Sequence, residues 1–171
     1  MVVMLVVGLG IGAGVGYYAM PTKTITQTVT VEKNPLEGKE LKLGFIVSST
    51  ADLETTTPHL ENIIMPDNTA YLDLLGFDIT LRIFLDNAME TAATHLEKVQ
   101  AFKAQGINIF NGGPWSSFAS AALPYCSQNN MLMWSPSSTS PLLRIPDDNL
   151  YRMCPDDVVQ AKAIAAMLWS W

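Results

Sequence analysis

Hydroxyls, glycines and prolines crowd residues 111–141, NGGPWSSFASAALPYCSQNNMLMWSPSSTSP. Together they could hold a small ion without any charged side chain. Ser116, Ser117, Ser137, Ser138 and Thr139 each bring a hydroxyl that both donates and accepts. Gly112 and Gly113 carry no Cβ, so their backbone could approach a ligand closely. Pro114 pre-sets φ for a following helix, whose first amides at 115–118 would be free to meet an anion. Such a set could grip the carboxylate and ammonium of a small zwitterion. The plain alternative is that Ser, Gly and Pro mark loops that bind nothing. Two such loops, each following a short apolar strand, bring the ligand reading level with it.

Other chemistry is hard to find. No G-x-S-x-G elbow, H-E-x-x-H, P-loop or kinase signature occurs. His59 and His95 are the only histidines, and both fall on expected helices among polar neighbours. They read as solvated surface rather than as metal ligands or bases. Glu37, Glu40, Asp52 and Glu54 are scattered through tether and loop. Cys126 and Cys154 fit no zinc spacing and no C-x-x-C. They are either two buried thiols, the reading held slightly ahead, or one bridge if the protein lies outside the cytosol. No catalytic residue, metal site or cofactor is therefore expected. The chain is 49% hydrophobic and 15% charged with net charge −6, and it has no Lys/Arg cluster, which argues against nucleic acid and anionic membrane surfaces as partners.

The elements that must position the hydroxyl loops alternate regularly. Apolar runs at 41–47, 79–87, 107–110, 131–134 and 150–153 read as strands. Between the first two lies a polar stretch, 48–58, expected as a loop. Pro58 then opens a helix with Leu60, Ile63 and Ile64 on one face, and Pro66 breaks it before 68–75 resumes. Ala92, Leu96, Val99 and Phe102 mark a helix closed by Gly106. A further helix at 116–129 is kinked at Pro124, and Asp156 caps the last one. This is α/β order with no hairpin signal. It predicts a three-layer, doubly wound parallel sheet.

Upstream, residues 2–20 are apolar and uncharged, long enough to cross a hydrocarbon core of ~30 Å. The G-x-G-x-x-A match at 8–13 lacks the amphipathic helix a dinucleotide fingerprint needs, so a transmembrane or signal-anchor segment (1–20) is the better account. A retained anchor is favoured over a cleaved signal, because neither a basic start nor an A-x-A site is present. Residues 21–40 read as an exposed Thr- and Pro-containing tether. The chain stops at Trp171 within an expected helix, with Met167, Leu168 and Trp169 facing no partner, and so reads as a fragment of a longer protein.

LKLGFIVSSTADL, the strand ending at Asp86, KAQGINIFNGGPWSS, MLMWSPSSTSP and LYRMCPDDVVQAKAIA follow one another in a familiar order. In order and spacing, residues 41–171 resemble the type I periplasmic binding proteins of the branched-chain amino acid (leucine/isoleucine/valine-binding) group. The resemblance implies two α/β lobes that close on a ligand: 41–154 would be the first, incomplete, and 155–171 the truncated start of the second. It implies an extracytoplasmic solute-binding subunit that delivers a small molecule to the permease and ATPases of an ABC importer, held at the cell surface by residues 2–20. The same lobes also serve as sensing ectodomains of receptors, which is the alternative.

Site residues carry over by position. The residue after Gly-Pro-x, Ser116, would hold a carboxylate with hydroxyl and amide, with Ser117 beside it. In Ser-Pro-x-x-Thr, Ser137 would present its carbonyl to the ammonium and Thr139 would hold the carboxylate; Ser138 lies between them. Trp115 would wall the pocket, the 52–57 loop would cover it, and Asp156 at the crossover would face the cleft. Glu54-Thr55-Thr56-Thr57 stands where the family often has an aromatic–Gly–Asp run. That widens the expected ligands to amino acids, amides, urea or another small polar solute.

Overall fold

A computed structural model describes residues 35–170. The segment expected to enter the membrane and most of the expected tether lie outside them. Among the described residues no helix is long and apolar enough to cross a membrane.

The apolar alternation of KELKLGFIV forms β1, Lys39–Val47. It starts two residues before the expected boundary because Lys39 and Glu40 pair in register with Ile79 and Thr80 of β2, Ile79–Asn87. An Arg82–Glu40 ion pair at 3.1 Å ties these ends. β3 (Ile109–Asn111), β4 (Leu132–Ser135) and β5 (Leu150–Arg152) complete a sheet of order β2-β1-β3-β4-β5, with every pairing parallel. From β1 the chain first winds outward to β2, then returns past β1 to β3 and proceeds the other way. Right-handed crossovers therefore place the helices between β1 and β2 on one face and those after β2 on the other.

The first crossover departs from expectation. Residues 48–58 do not form a loop: α1, Thr50–His59, begins directly after β1. Ser49 caps it, accepting from the Asp52 amide, while the Asp52 carboxylate accepts from the Ser49 amide at 3.1 Å, a reciprocal capping box. That local signal outweighs the threonines. Pro58 lies inside the helix rather than opening it. A π-helical turn, Leu60–Ile64, carries the chain from one proline to the next, into α2, Met65–Leu74. Pro66 follows the π turn inside a helical run continuous from Thr50 to Leu74, so the widened turn precedes a position with no amide to donate. Of the three residues expected to face the core here, only Leu60 is buried; Ile63 and Ile64 are exposed.

The core lies on the other face. α3 (Ala92–Ala104) and α4 (Ser116–Gln128) pack against each other and against β1 and β4. Val99 and Phe102 of α3 meet Phe118, Ala119, Ala122, Leu123 and Cys126 of α4 over Ile46, Phe110 and Met133 from the strands. Burying a side chain such as Phe110 stabilises by ~1.5–3 kcal/mol. Gly44 is glycine because a Cβ there would stand 2.8 Å from Phe110 Cβ and closer still to the Phe102 ring. Pro124 lies within α4 as expected. Cys126 is buried and Cys154 partly so, and both are free thiols.

Beyond β1 no described element covers the opposite face of the sheet. Ile109, Leu132, Trp134 and Tyr151 share that face in register, and all are exposed. α5, Asp157–Trp169, follows β5 and has no buried residue.

Candidate ligand-binding site

In a sheet of this order, successive crossovers leave β1 and β3 in opposite directions, and a crevice opens at their carboxyl ends. The segments after β1, β3 and β4 border it. The first is Ser48 and the capping Ser49. The second is Gly112-Gly113-Pro114-Trp115, ending on α4. The third is Pro136-Ser137-Ser138-Thr139.

The second and third segments are joined to each other. Gly113 O accepts from the hydroxyls of both Ser135 and Ser138, each at 2.7 Å. Pro114 O accepts from the Ser137 hydroxyl at 2.5 Å, and the Ser140 amide donates to Ser116 Oγ at 3.2 Å. The structure thus brings the segments of Ser116 and of Ser137, Ser138 and Thr139 together, and divides the work of their hydroxyls. Ser138 is fully buried and its hydroxyl is taken up inside the protein, so it is a brace rather than an exposed ligand group. Ser137 is exposed, yet its hydroxyl also braces. Ser116 is half-buried; having accepted from Ser140, it keeps its own proton to donate. The hydroxyls of Ser117 and Thr139 have no protein partner among the described residues.

Helix α4 adds its own donors. Trp115, at the N-cap, is extended and makes no side-chain cap. The amides of Ser116 and Ser117 precede the first intrahelical donor, Phe118 N, and stay open. An uncapped helix start carries partial positive charge. Trp115 is 60% exposed and stands beside these amides, free to wall whatever they hold.

The glycines serve a different purpose from the one their type suggests. A Cβ on Gly112 would lie 2.7 Å from the Phe110 ring and 3.1 Å from His95 Nε2. One on Gly113, at φ +59, would lie 2.9 Å from Ala119 Cβ. Their missing side chains let the loop press onto the protein's own core.

His95 corrects a second expectation. It is not solvated surface; its exposure is 0%. It lies on the same stripe of α3 as Ala92, Val99 and Phe102, three or four residues from its nearest neighbours, a spacing the sequence already displayed. Its ring lies 5.6 Å from that of Phe118, and Nε2 accepts from the Gly113 amide at 2.9 Å. Burial pushes its pKa down to about 4, so the ring is neutral.

Asp156 is the N-cap of α5, as expected, with Oδ1 accepting from the amides of Val158 and Val159. Its other oxygen meets Arg144, with Arg152 at 3.9 Å. The hydrogen bond from Arg144 is the main reason its carboxyl is held below the ordinary value. Arg152 donates to the carbonyls of Ser138, at 3.3 Å, and Ser140, at 3.0 Å, so this charge group clamps the third segment from behind. The Asp156 carboxylate is thereby occupied by its own chain, and its side chain is only 4% exposed. Among the described residues no cluster of His, Cys, Asp or Glu could hold a metal ion. On its β3 and β4 side the crevice offers neutral groups: hydroxyls, open amides and an indole.

Residues 68–171 match the family described as the receptor family ligand binding region. An uncharacterized protein of Methanocaldococcus jannaschii is 27% identical over 150 residues, covering 82% of this chain and 36% of that protein. An ABC transporter substrate-binding protein from Desulfitobacterium hafniense, solved in complex with Leu, shares the fold with a TM-score of 0.62 at 24% identity, over 76% of this chain and 38% of that one. A leucine binding protein from Thermotoga maritima does so with a TM-score of 0.54 at 18% identity, over 75% of this chain and 37% of that one. The chain therefore spans little more than a third of the length of these relatives. The family and these solved neighbours are ligand-binding proteins, not enzymes.

Proposed function

This chain belongs to the receptor family ligand binding region, and on that premise we propose that it is part of the extracytoplasmic solute-binding subunit of an ABC importer. Its solute is a small molecule bearing a carboxylate, an amino acid or a close relative. In this reading residues 41–154 belong to the first lobe and 155–171 begin the second. Residues 2–20 hold the protein at the outer face of the membrane, and permease and ATPase subunits receive the solute. The observation that carries the reading is the convergence, at the carboxyl ends of β3 and β4, of the open α4 amides with the hydroxyls of Ser116, Ser117 and Thr139. An anion replaces its water shell there with charge-assisted hydrogen bonds. Trp115 closes the side of the pocket. Ser137, Ser138 and Asp156 hold the frame.

The test is calorimetric binding of whichever solute stabilises the full-length protein in a thermal screen of amino acids, amides and urea. Ser116→Ala and Thr139→Ala should each lose ~1.5–3 kcal/mol, roughly 10- to 150-fold in affinity. Ser120→Ala, one turn further along α4 and exposed, should bind like wild type. Normal affinity in both Ser116→Ala and Thr139→Ala, with normal folding, removes these residues from the site.

The family's receptor description favours a second reading, a sensing ectodomain on the same lobes. The full gene separates the two: an importer subunit sits beside permease genes, whereas a receptor continues into an effector domain.

A further inference from the structure

We propose that His95, remote in sequence from both loops, is the positioning residue of the ligand site: by holding the Gly113 amide it fixes the segment that aims the start of α4 at the crevice. This rests on reading those loops as the site. Gly113 is gripped on both sides. Its amide donates to His95 Nε2 from α3, and its carbonyl accepts from two serines of the β4 segment. With the peptide planes on either side of Gly113 fixed, Pro114 and Trp115 are left little freedom, and the amides of Ser116 and Ser117 follow.

The chemistry of the ring argues that this contact is its purpose. An Nε2 that accepts requires the proton on Nδ1. Yet Nδ1 is buried without a hydrogen-bond partner among the described residues. An orphaned buried donor is destabilising, and leucine or phenylalanine at this place would avoid it. A wholly apolar side chain would fit the Val99 and Phe102 stripe and the Phe118 ring at least as well. What it would lack is an acceptor for Gly113, whose buried amide would then be the orphan. Gly112 belongs to the same device, since any side chain there would crowd Phe110 and His95. Such preorganisation lowers the ordering cost of binding.

The experiment compares His95→Leu with His95→Gln in the full-length protein. The Gln oxygen reaches roughly where Nε2 stands. Amide hydrogen exchange without solute is read on peptides spanning 108–118 and on the rest of α3 and α4. His95→Leu should speed exchange at 112–117 by ~10-fold or more, with the helices little changed, and His95→Gln should restore it. With L-leucine as the probe, affinity should fall ~10-fold in His95→Leu and stay within ~3-fold of wild type in His95→Gln. Exchange at 112–117 unchanged in His95→Leu, or raised equally throughout α3 and α4, overturns the proposal, as does failure of His95→Gln to restore it. Should His95→Leu not fold, His95→Asn, whose amide stops short of Gly113, takes its place. If wild type binds no L-leucine, the exchange arm still decides the part played by His95, and only the ligand reading is affected.

Discussion

At pH 7.5 the His95 ring is neutral in folded and unfolded chains alike; at pH 5.0 it differs between them. Unfolded, it titrates near 6.5, whereas burial lowers the folded value to about 4. Between these values the unfolded chain takes up a proton that the folded ring refuses. Stability is therefore full above the unfolded pKa and is lost as pH falls, levelling off once the folded ring protonates near 4. Each tenfold in proton affinity is worth about 1.4 kcal/mol, so the step from pH 7.5 to 5.0 should remove ~2 kcal/mol. Asp156 adds little here, because a carboxyl's ordinary value already lies below this window and Arg144 lowers it further. Urea unfolding of wild type and His95→Gln at both pH values reads the effect directly. The variant should lack this ~2 kcal/mol of pH dependence. An equal loss in both proteins, or an NMR titration of the ring near 6.5 in the folded state, would refute the buried, neutral ring.

Gly44→Ala should destabilise by ~1–3 kcal/mol through overpacking against Phe102 and Phe110. An unchanged urea midpoint would show that α3 can retreat from β1. Burial pushes the Cys126 thiol up to about 12, so iodoacetamide at pH 8 should spare it in the folded protein while labelling Cys154. Modification of Cys126 faster than global unfolding, mapped by mass spectrometry, would contradict the packing under α4.

Periodicity made the strands legible, because apolar residues recur in each as a run or alternation that survives without neighbours. The cap at Asp156 and the start of α4 after Pro114 were equally plain, being local chemistry. The helix at Thr50–His59 was missed because threonines and a proline argued against it. The Ser49–Asp52 box that wins is a pair four positions wide, easily read as loop polarity. His95 was misread for a related reason. Its polar type outweighed its place on the apolar stripe, and the amide that justifies it lies 18 residues away. The division of the hydroxyls could not be read at all. Ser116 and Ser138 look alike in sequence, and only the approach of the β4 segment to Gly113 makes one a brace and leaves the other a proton to donate.

Trp134 and Tyr151 stand edge to face on the open side of the sheet, ring centroids 6.4 Å apart, with 41% and 61% of their surfaces exposed. Their position gives the molecule a built-in optical gauge. At this separation the phenol passes its excitation to the indole, and a half-wetted indole emits to the red of a dry one. Whatever settles over β4 and β5 will dry Trp134 and draw its emission toward the blue. Trp115, in the loop after β3 at the crevice, answers to a different event. Replacing one indole at a time by phenylalanine would let fluorescence tell the covering of the sheet from the filling of the site.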